Sequence, residues 1–206
     1  TISVPFTTTG TFGGTNTFTA ELSDAAGNFG TITATATGTS PISLTAPATA
    51  GTGYKVRVRA SDPATTSNES AAITINALPL DRTIVANPTS VTSGNGANIE
   101  VPTSQVGVNY QLQNTAGNTN VGTVVAGTGG TINLPTGNLT STTTFRVLAT
   151  NAANTCNRVL GNTVTVTVTA AVPTLTLGTI TPTTYCEGTT ISVPFTTTGT
   201  FGGTNT

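Results

Sequence analysis

Residues 54–60 read YKVRVRA, and their alternation decides the fold: Val56, Val58 and Ala60 fall on one side of an extended chain, Lys55, Arg57 and Arg59 on the other. VTVTV at 164–168 and ITI at 73–75 repeat that period of two. It is the spacing of half-buried strands, and no stretch carries the apolar spacing of a long helix. Short runs of this kind recur between turn residues about every eight to twelve positions, which predicts an all-β antiparallel sandwich. Ile2, Val4 and Phe6, then Phe18, Ala20 and Leu22, then Tyr54, Val56 and Val58 are expected to point inward together. Thr takes the outward positions, where its branched Cβ favours a strand and its hydroxyl tolerates water.

Self-similarity sets the organisation. Residues 1–17 and 190–206 both read TISVPFTTTGTFGGTNT, an offset of 190 − 1 = 189 residues. The chain is therefore read as one 189-residue period of a longer repeating protein, with neither end a natural terminus. Pro-bearing junctions at Ala77–Leu80 and Ala170–Pro173 divide the period again. Residues 1–79 form module A, completed at its N-terminal side by the previous repeat's equivalent of 171–189. Residues 80–170 form module B, and 171–206 carry the first strands of the next module A. Each module has the size of an immunoglobulin-like sandwich. Expected strands in module A are 174–181, 190–196 (equivalent to 1–7), 16–23, 30–36, 41–46, 54–60 and 71–76. In module B they are 83–87, 97–103, 107–114, 119–126, 130–134, 143–151 and 162–170.

Composition excludes much chemistry. Thr supplies 53 of 206 residues, with six basic and seven acidic side chains, two Cys, and no His, Met or Trp. Without His there is no imidazole base, no Ser-His or Cys-His pair, and none of the commonest metal ligand. Six cations in 206 residues make no phosphate-neutralising stripe, which argues against nucleic acid as a partner. Apolar runs of a few residues fall far short of the roughly 18–20 that cross a bilayer as a helix, so no direct membrane insertion is expected. An enzyme, a cofactor and a metal are likewise not expected.

Particular motifs carry a resemblance. Tyr185-Cys186-Glu187-Gly188 with TISVPF, the hairpin Leu22–Phe29, and Gly51–Val58 resemble a domain repeated in giant surface proteins of Bacteroidota. In module B, Val108–Leu112, Gly127–Pro135 and Thr143–Val147 look like the immunoglobulin-like repeats of the same proteins. The resemblance covers nearly the whole chain. It implies export by the type IX route to the cell surface and service as gliding adhesins, attachment fibres or prey-catching appendages. One departure concerns Thr92, where the family pattern often has a Cys.

The two thiols, Cys156 and Cys186, are expected in the loop between the last two strands of module B and in the turn before the second strand of module A. Counting strands that alternate in direction separates them within this chain by nearly two module lengths, on the order of 60 Å at about 3.3 Å per strand residue, beyond any disulfide. The previous repeat would instead place its copy of Cys186 at the junction with module B. Three outcomes stand open: a staple between Cys156 and that copy, two free thiols, or cross-links between chains.

Lys55, Arg57 and Arg59 form a cationic stripe, read either as a ligand site or as partners of Glu21 and nearby loop acids, whereas Arg146 has no such company. Tyr54 resembles a tyrosine corner, its hydroxyl bonding nearby backbone, with Phe145 at the comparable place in module B. Asp62, Asn68 and Glu69 are placed in one loop whose spacing matches no calcium pattern. Gly13-Gly14 and Gly129-Gly130 are read as turn glycines of positive φ.

The functional expectation is a structural repeat that extends a long extracellular adhesin or a filament of identical chains, touching neighbouring repeats. Its rival is a carbohydrate-binding accessory module. Seven Phe, two of them repeats of Phe6 and Phe12, and three Tyr leave few aromatics for a sugar platform. Ice binding through outward Thr163, Thr165, Thr167 and Thr169 would need a flat multi-strand array, which a twisted sandwich lacks.

Overall fold

The computed structural model of the chain describes residues 1–199; residues 200–206 of the C-terminal segment lie outside the described residues. Among the described residues the protein is all-β, with no helix. It divides into two compact units, Thr1–Pro79 with Thr150–Asn157 and Leu80–Ala149 with Arg158–Thr206.

The first unit holds β1 (Ile2–Val4), β2 (Phe18–Leu22), β3 (Ala34–Thr37), β4 (Ile42–Leu44), β5 (Gly51–Tyr54), β6 (Val56–Ser61), β7 (Ala64–Thr66) and β8 (Ile73–Ile75). β3, β2, β6 and β7 form one sheet in that order, while β1 pairs with β4 and β5 with β8. Val4, Ala20, Leu22, Ile42, Leu44, Tyr54, Val56 and Val58 are buried as one cluster. Ile2, Phe6 and Phe18, also expected inward, are only half-buried against it.

The expected strand 54–60 is in fact two strands. β5 pairs with β8 and β6 with β2, and the break falls at Lys55. There Ser23 bridges the step: its N–H donates to the Lys55 carbonyl at 2.9 Å and its Oγ accepts from the Lys55 N–H at 2.8 Å. The expected strand 71–76 is shorter, Ile73–Ile75, and a separate strand not expected there, β7, pairs with β6 before it. Beyond β7, the N–H groups of Ser67 and Ser70 donate to the carbonyls of Val58 and Val56, both at 2.8 Å. Their hydroxyls accept from the N–H groups of the same two residues, both at 2.9 Å. Two serine side chains thus replace a strand's backbone acceptors.

The second unit adds β9 (Val85–Asn87), β10 (Ser90–Thr92), β11 (Asn98–Val101), β12 (Val108–Asn114), β13 (Thr119–Ala126), β14 (Ile132–Pro135), β15 (Thr143–Asn151), β16 (Asn157–Val159) and β17 (Val164–Thr169). One sheet runs β10, β17, β15, β12, β13, with β16 added on β15; the other runs β14, β11, β9. Their inner faces enclose Tyr110, Leu112, Ile99, Leu134, Phe145, Val147 and Val166, each at most 1% exposed. The first strand is split: β9 is antiparallel to β11, and after Pro88 β10 runs parallel to β17, a departure from the antiparallel expectation. β10 and β16 lie outside every expected strand.

A last hairpin joins β18 (Thr174–Leu177) to β19 (Phe195–Thr198). Residues 1–9 and 190–198 are identical, yet Ile2–Val4 is a strand while 191–193 is not, and Phe195–Thr198 is a strand while 6–9 is not. A strand exists only where a neighbour supplies its hydrogen bonds.

Gly13 and Gly14 do not have positive φ, and Gly130 does not either, whereas Gly129 does at 92°. Gly13 does stand at a turn: the Asn16 N–H donates to its carbonyl at 3.0 Å, and its own N–H donates to the Asp62 carbonyl at 3.0 Å.

Replacing Ser70 by Ala leaves the N–H of buried Val56 without its acceptor. We expect the first unit to lose about 1–3 kcal/mol in denaturant titration, with Ser70→Thr retaining most of it; an unchanged midpoint for Ser70→Ala would remove the structural role given to the hydroxyl.

Candidate functional site

The stripe runs from Lys55, at the break, onto Arg57 and Arg59 of β6, and its geometry follows from register. β2 and β6 are antiparallel with Glu21 opposite Arg57 and Thr19 opposite Arg59, so one carboxylate lies beside two guanidinium groups. The Arg57 Nε and terminal nitrogen reach Glu21 Oε2 at 2.8 and 2.7 Å, and Arg59 reaches Oε1 at 3.4 Å. Lys55 is held by Glu69 at 2.9 Å. The Arg57 guanidinium also stands 4.2 Å from the centroid of the Phe29 ring, within cation–π range.

Burial ranks these pairs. The Glu21 side chain is 10% exposed and that of Arg57 24%, whereas Lys55 and Glu69 are 38% and 48% exposed. Glu21 alternates outward, yet the two arginines roof it. The Lys55 pair contributes well under about 1 kcal/mol, as exposed pairs do. Three cations meet two carboxylates, and the remaining charge is nearest the surface at Arg59, whose side chain is 54% exposed. The stripe is an ionic cluster of one sheet face, with each cation paired to a carboxylate. Phe29 was not legible as part of it, because the hairpin that brings its ring over Arg57 is a tertiary matter.

Tyr54 is 1% exposed, and its hydroxyl donates to the Thr49 carbonyl at 2.9 Å. The second unit places no bond at Phe145, which is apolar and buried. Its tyrosine contact comes from Tyr110 on β12, whose hydroxyl accepts from the Gln105 N–H at 2.7 Å. Arg146 has no carboxylate partner among the described residues; its Nε donates to the neutral Gln113 Oε1 at 2.9 Å. Asp62, Asn68 and Glu69 do not share one loop, since β7 separates Asp62 from the other two. Among the described residues no three His, Cys, Asp or Glu side chains gather as a metal cluster. Asp24 caps its own hairpin turn, accepting from the N–H groups of Asn28 at 2.8 Å and Ala26 at 3.0 Å. The Asn28 bond foremost holds its carboxyl below the ordinary value.

Cys156 is half-buried between β15 and β16, and Cys186 is exposed; both are free thiols in the single chain.

The other notable surfaces are two grooves in the first unit. The larger, about 480 Å³, lies between Ile2–Thr7 and the run Val56–Val58 with Ser67, Asn68, Ser70 and Ile73. A second, about 290 Å³, continues along Phe6–Thr9 against Phe12, Phe18 and Ala60.

Residues 81–170 match a family described as a domain of unknown function (DUF8696). The matched span contains β9 to β17, the whole of the second sandwich. A comparison with curated proteins returns no match.

Replacing Glu21 by Ala strands two cations, one of them largely covered. We expect the first unit to lose about 1–3 kcal/mol in denaturant titration, against less than about 1 kcal/mol for Lys55→Ala; equal losses would refute the ranking by burial.

Proposed function

We propose that this chain is a structural repeat of a long extracellular adhesin or multi-chain surface filament, and not an enzyme. The observation that carries the proposal is the recurrence of residues 1–17 at 190–206 without one difference. Identity over that length suits an array in which each unit meets mainly its neighbours and stability adds along the chain.

The surface chemistry supports the reading. Thr163, just before β17, and Thr165, Thr167 and Thr169 on one face of β17 are all exposed, presenting hydroxyls in place of charge. The cations of the stripe are engaged with Glu21 and Glu69. Such faces raise little electrostatic barrier between identical chains, so bundling into a thicker appendage is part of the proposal. The immunoglobulin-like assignment of the sandwiches, export by the type IX route and a place at the cell surface come from the resemblance to Bacteroidota surface proteins and belong to the same proposal. The carbohydrate-binding reading has weaker support, because Tyr54, Tyr110 and Phe145 are buried rather than arrayed as a platform.

The filament reading calls for a regular axial repeat set by one 189-residue period. Micrographs of the native protein are expected to show fibres with that repeat; isolated compact particles would refute the proposal. A disulfide staple between Cys156 and the Cys186 of the preceding repeat is expected in an oxidising compartment. An unreduced digest of a multi-repeat protein should yield the cross-linked peptide by mass spectrometry, and alkylation of both thiols would rule the staple out.

A further inference from the structure

Between β10 and β11 the second unit passes from one of its sheets to the other, through residues 93–97. The crossing is pinned at almost every amide. The Ser93 N–H donates to the Thr169 carbonyl at 2.8 Å, the Gly94 N–H to the Leu139 carbonyl at 2.8 Å, and the Asn95 N–H to the Thr92 carbonyl at 3.0 Å. The Ala97 N–H donates to Thr136 Oγ1 at 2.9 Å. Of this run, Gly96 alone has an N–H that makes no hydrogen bond among the described residues. The Asn95 side-chain amide makes none among them either, and both residues are exposed.

Gly96 is held to glycine by a neighbour. A Cβ there would collide with the Gly137 carbonyl, a backbone group of the facing loop that has no rotamer to escape into. A glycine also leaves its own nitrogen unscreened toward the residue before it. Asn95-Gly96 is the one Asn-Gly pair in the sequence. The crossing therefore sets a carboxamide carbon beside a backbone nitrogen that is neither engaged nor shielded. Other turn asparagines are occupied: Asn16, Asn114, Asn151 and Asn154 each accept a backbone N–H on Oδ1, and none precedes a glycine.

We propose that Asn95-Gly96 is a self-modification site, converting to aspartyl and isoaspartyl linkages with water as the only co-reactant. The Gly96 nitrogen gives its proton to solvent base and bonds to Asn95 Cγ; the Cγ–Nδ2 bond breaks and ammonia leaves. A cyclic imide remains. Water opens it at either carbonyl, and nothing is oxidised or reduced. Cleavage between nitrogen and Cγ leaves aspartate with the original main chain, whereas cleavage between nitrogen and the Asn95 carbonyl carbon routes the main chain through Cγ.

The second product lengthens the main chain by a methylene between two fixed points. On one side the Asn95 carbonyl accepts from the N–H of buried Leu139 at 2.9 Å. On the other, the Ala97 carbonyl accepts from the Thr136 N–H at 2.9 Å, and the Ala97 N–H is held by the same residue's hydroxyl. The extra atom displaces one of these anchors, so the crossing loosens where it ties the two sheets. The chemistry stands without the repeat reading; on that reading each period carries one such site, and long-standing arrays accumulate the product.

The test holds the 206-residue chain in mildly alkaline buffer beside a peptide spanning residues 90–100. Each Asn is followed by mass spectrometry, with fragmentation that separates isoaspartate from aspartate. Asn95 is expected to convert before any other Asn and within about tenfold of the peptide's rate, because a site reached only through local opening is slowed by the cost of that opening. Asn95→Gln, whose longer side chain disfavours the ring, is expected to remove the product. Hydrogen exchange supplies the second readout. Chain enriched in the isoaspartyl form is expected to exchange the Leu139 amide faster than fresh chain, whereas Asn95→Asp, with its main chain unaltered, is not. Asn95 intact in the chain after the peptide has converted, another Asn converting first, or the same product from Asn95→Gln overturns the site. Equal Leu139 exchange in fresh and isoaspartyl chain overturns the loosening.

Discussion

Two sheets hold one another only if the space between them is filled across its full width, edges included. The second unit meets that condition: Tyr110, Phe145, Ile99 and Leu134 fill the middle, and the split first strand seals one edge. The first unit meets it in the middle alone. Leu22, Leu44 and Tyr54 are as buried as any residue of the second unit, but Ile2, Phe6 and Phe18 at the margin are only half-covered. The two grooves border that half-covered margin.

Electrostatics plays a smaller part. With thirteen charged side chains among 206, few ion pairs form, and the best covered, Glu21 with Arg57, lies on the outer face of a strand pair under Phe29. Polar closure is handled instead by short hydroxyl side chains acting on backbone. Ser23, Ser67 and Ser70 each take the place of a backbone acceptor where a strand breaks or changes partner. A Thr- and Ser-rich chain can thus join irregular strands without burying charge.

Alternation was legible because it is local. The inward set around Ala20, Leu22, Val56 and Val58 follows from period two, and so does the pairing of Glu21 with the β6 cations once the two strands are set side by side. The interruption at Lys55 was not legible, since YKVRVRA carries no Gly or Pro and the switch depends on Ser23 arriving from a distant turn. The turn at Gly13 was legible, but its hydrogen bond to the Asp62 carbonyl across the unit was not. Tyr110 was passed over in favour of Phe145 because strand position alone does not reveal which hydroxyl meets a free N–H.

The clearest division lies in the seventeen residues that occur twice. From sequence alone come the period, the β class and the faces that turn inward, because these depend on residue identity and spacing along the chain. Which stretch of that same string becomes a strand was decided only in three dimensions. Ile2–Val4 finds β4, Phe195–Thr198 finds β18, and a strand needs a partner's N–H and C=O groups that no local sequence can supply.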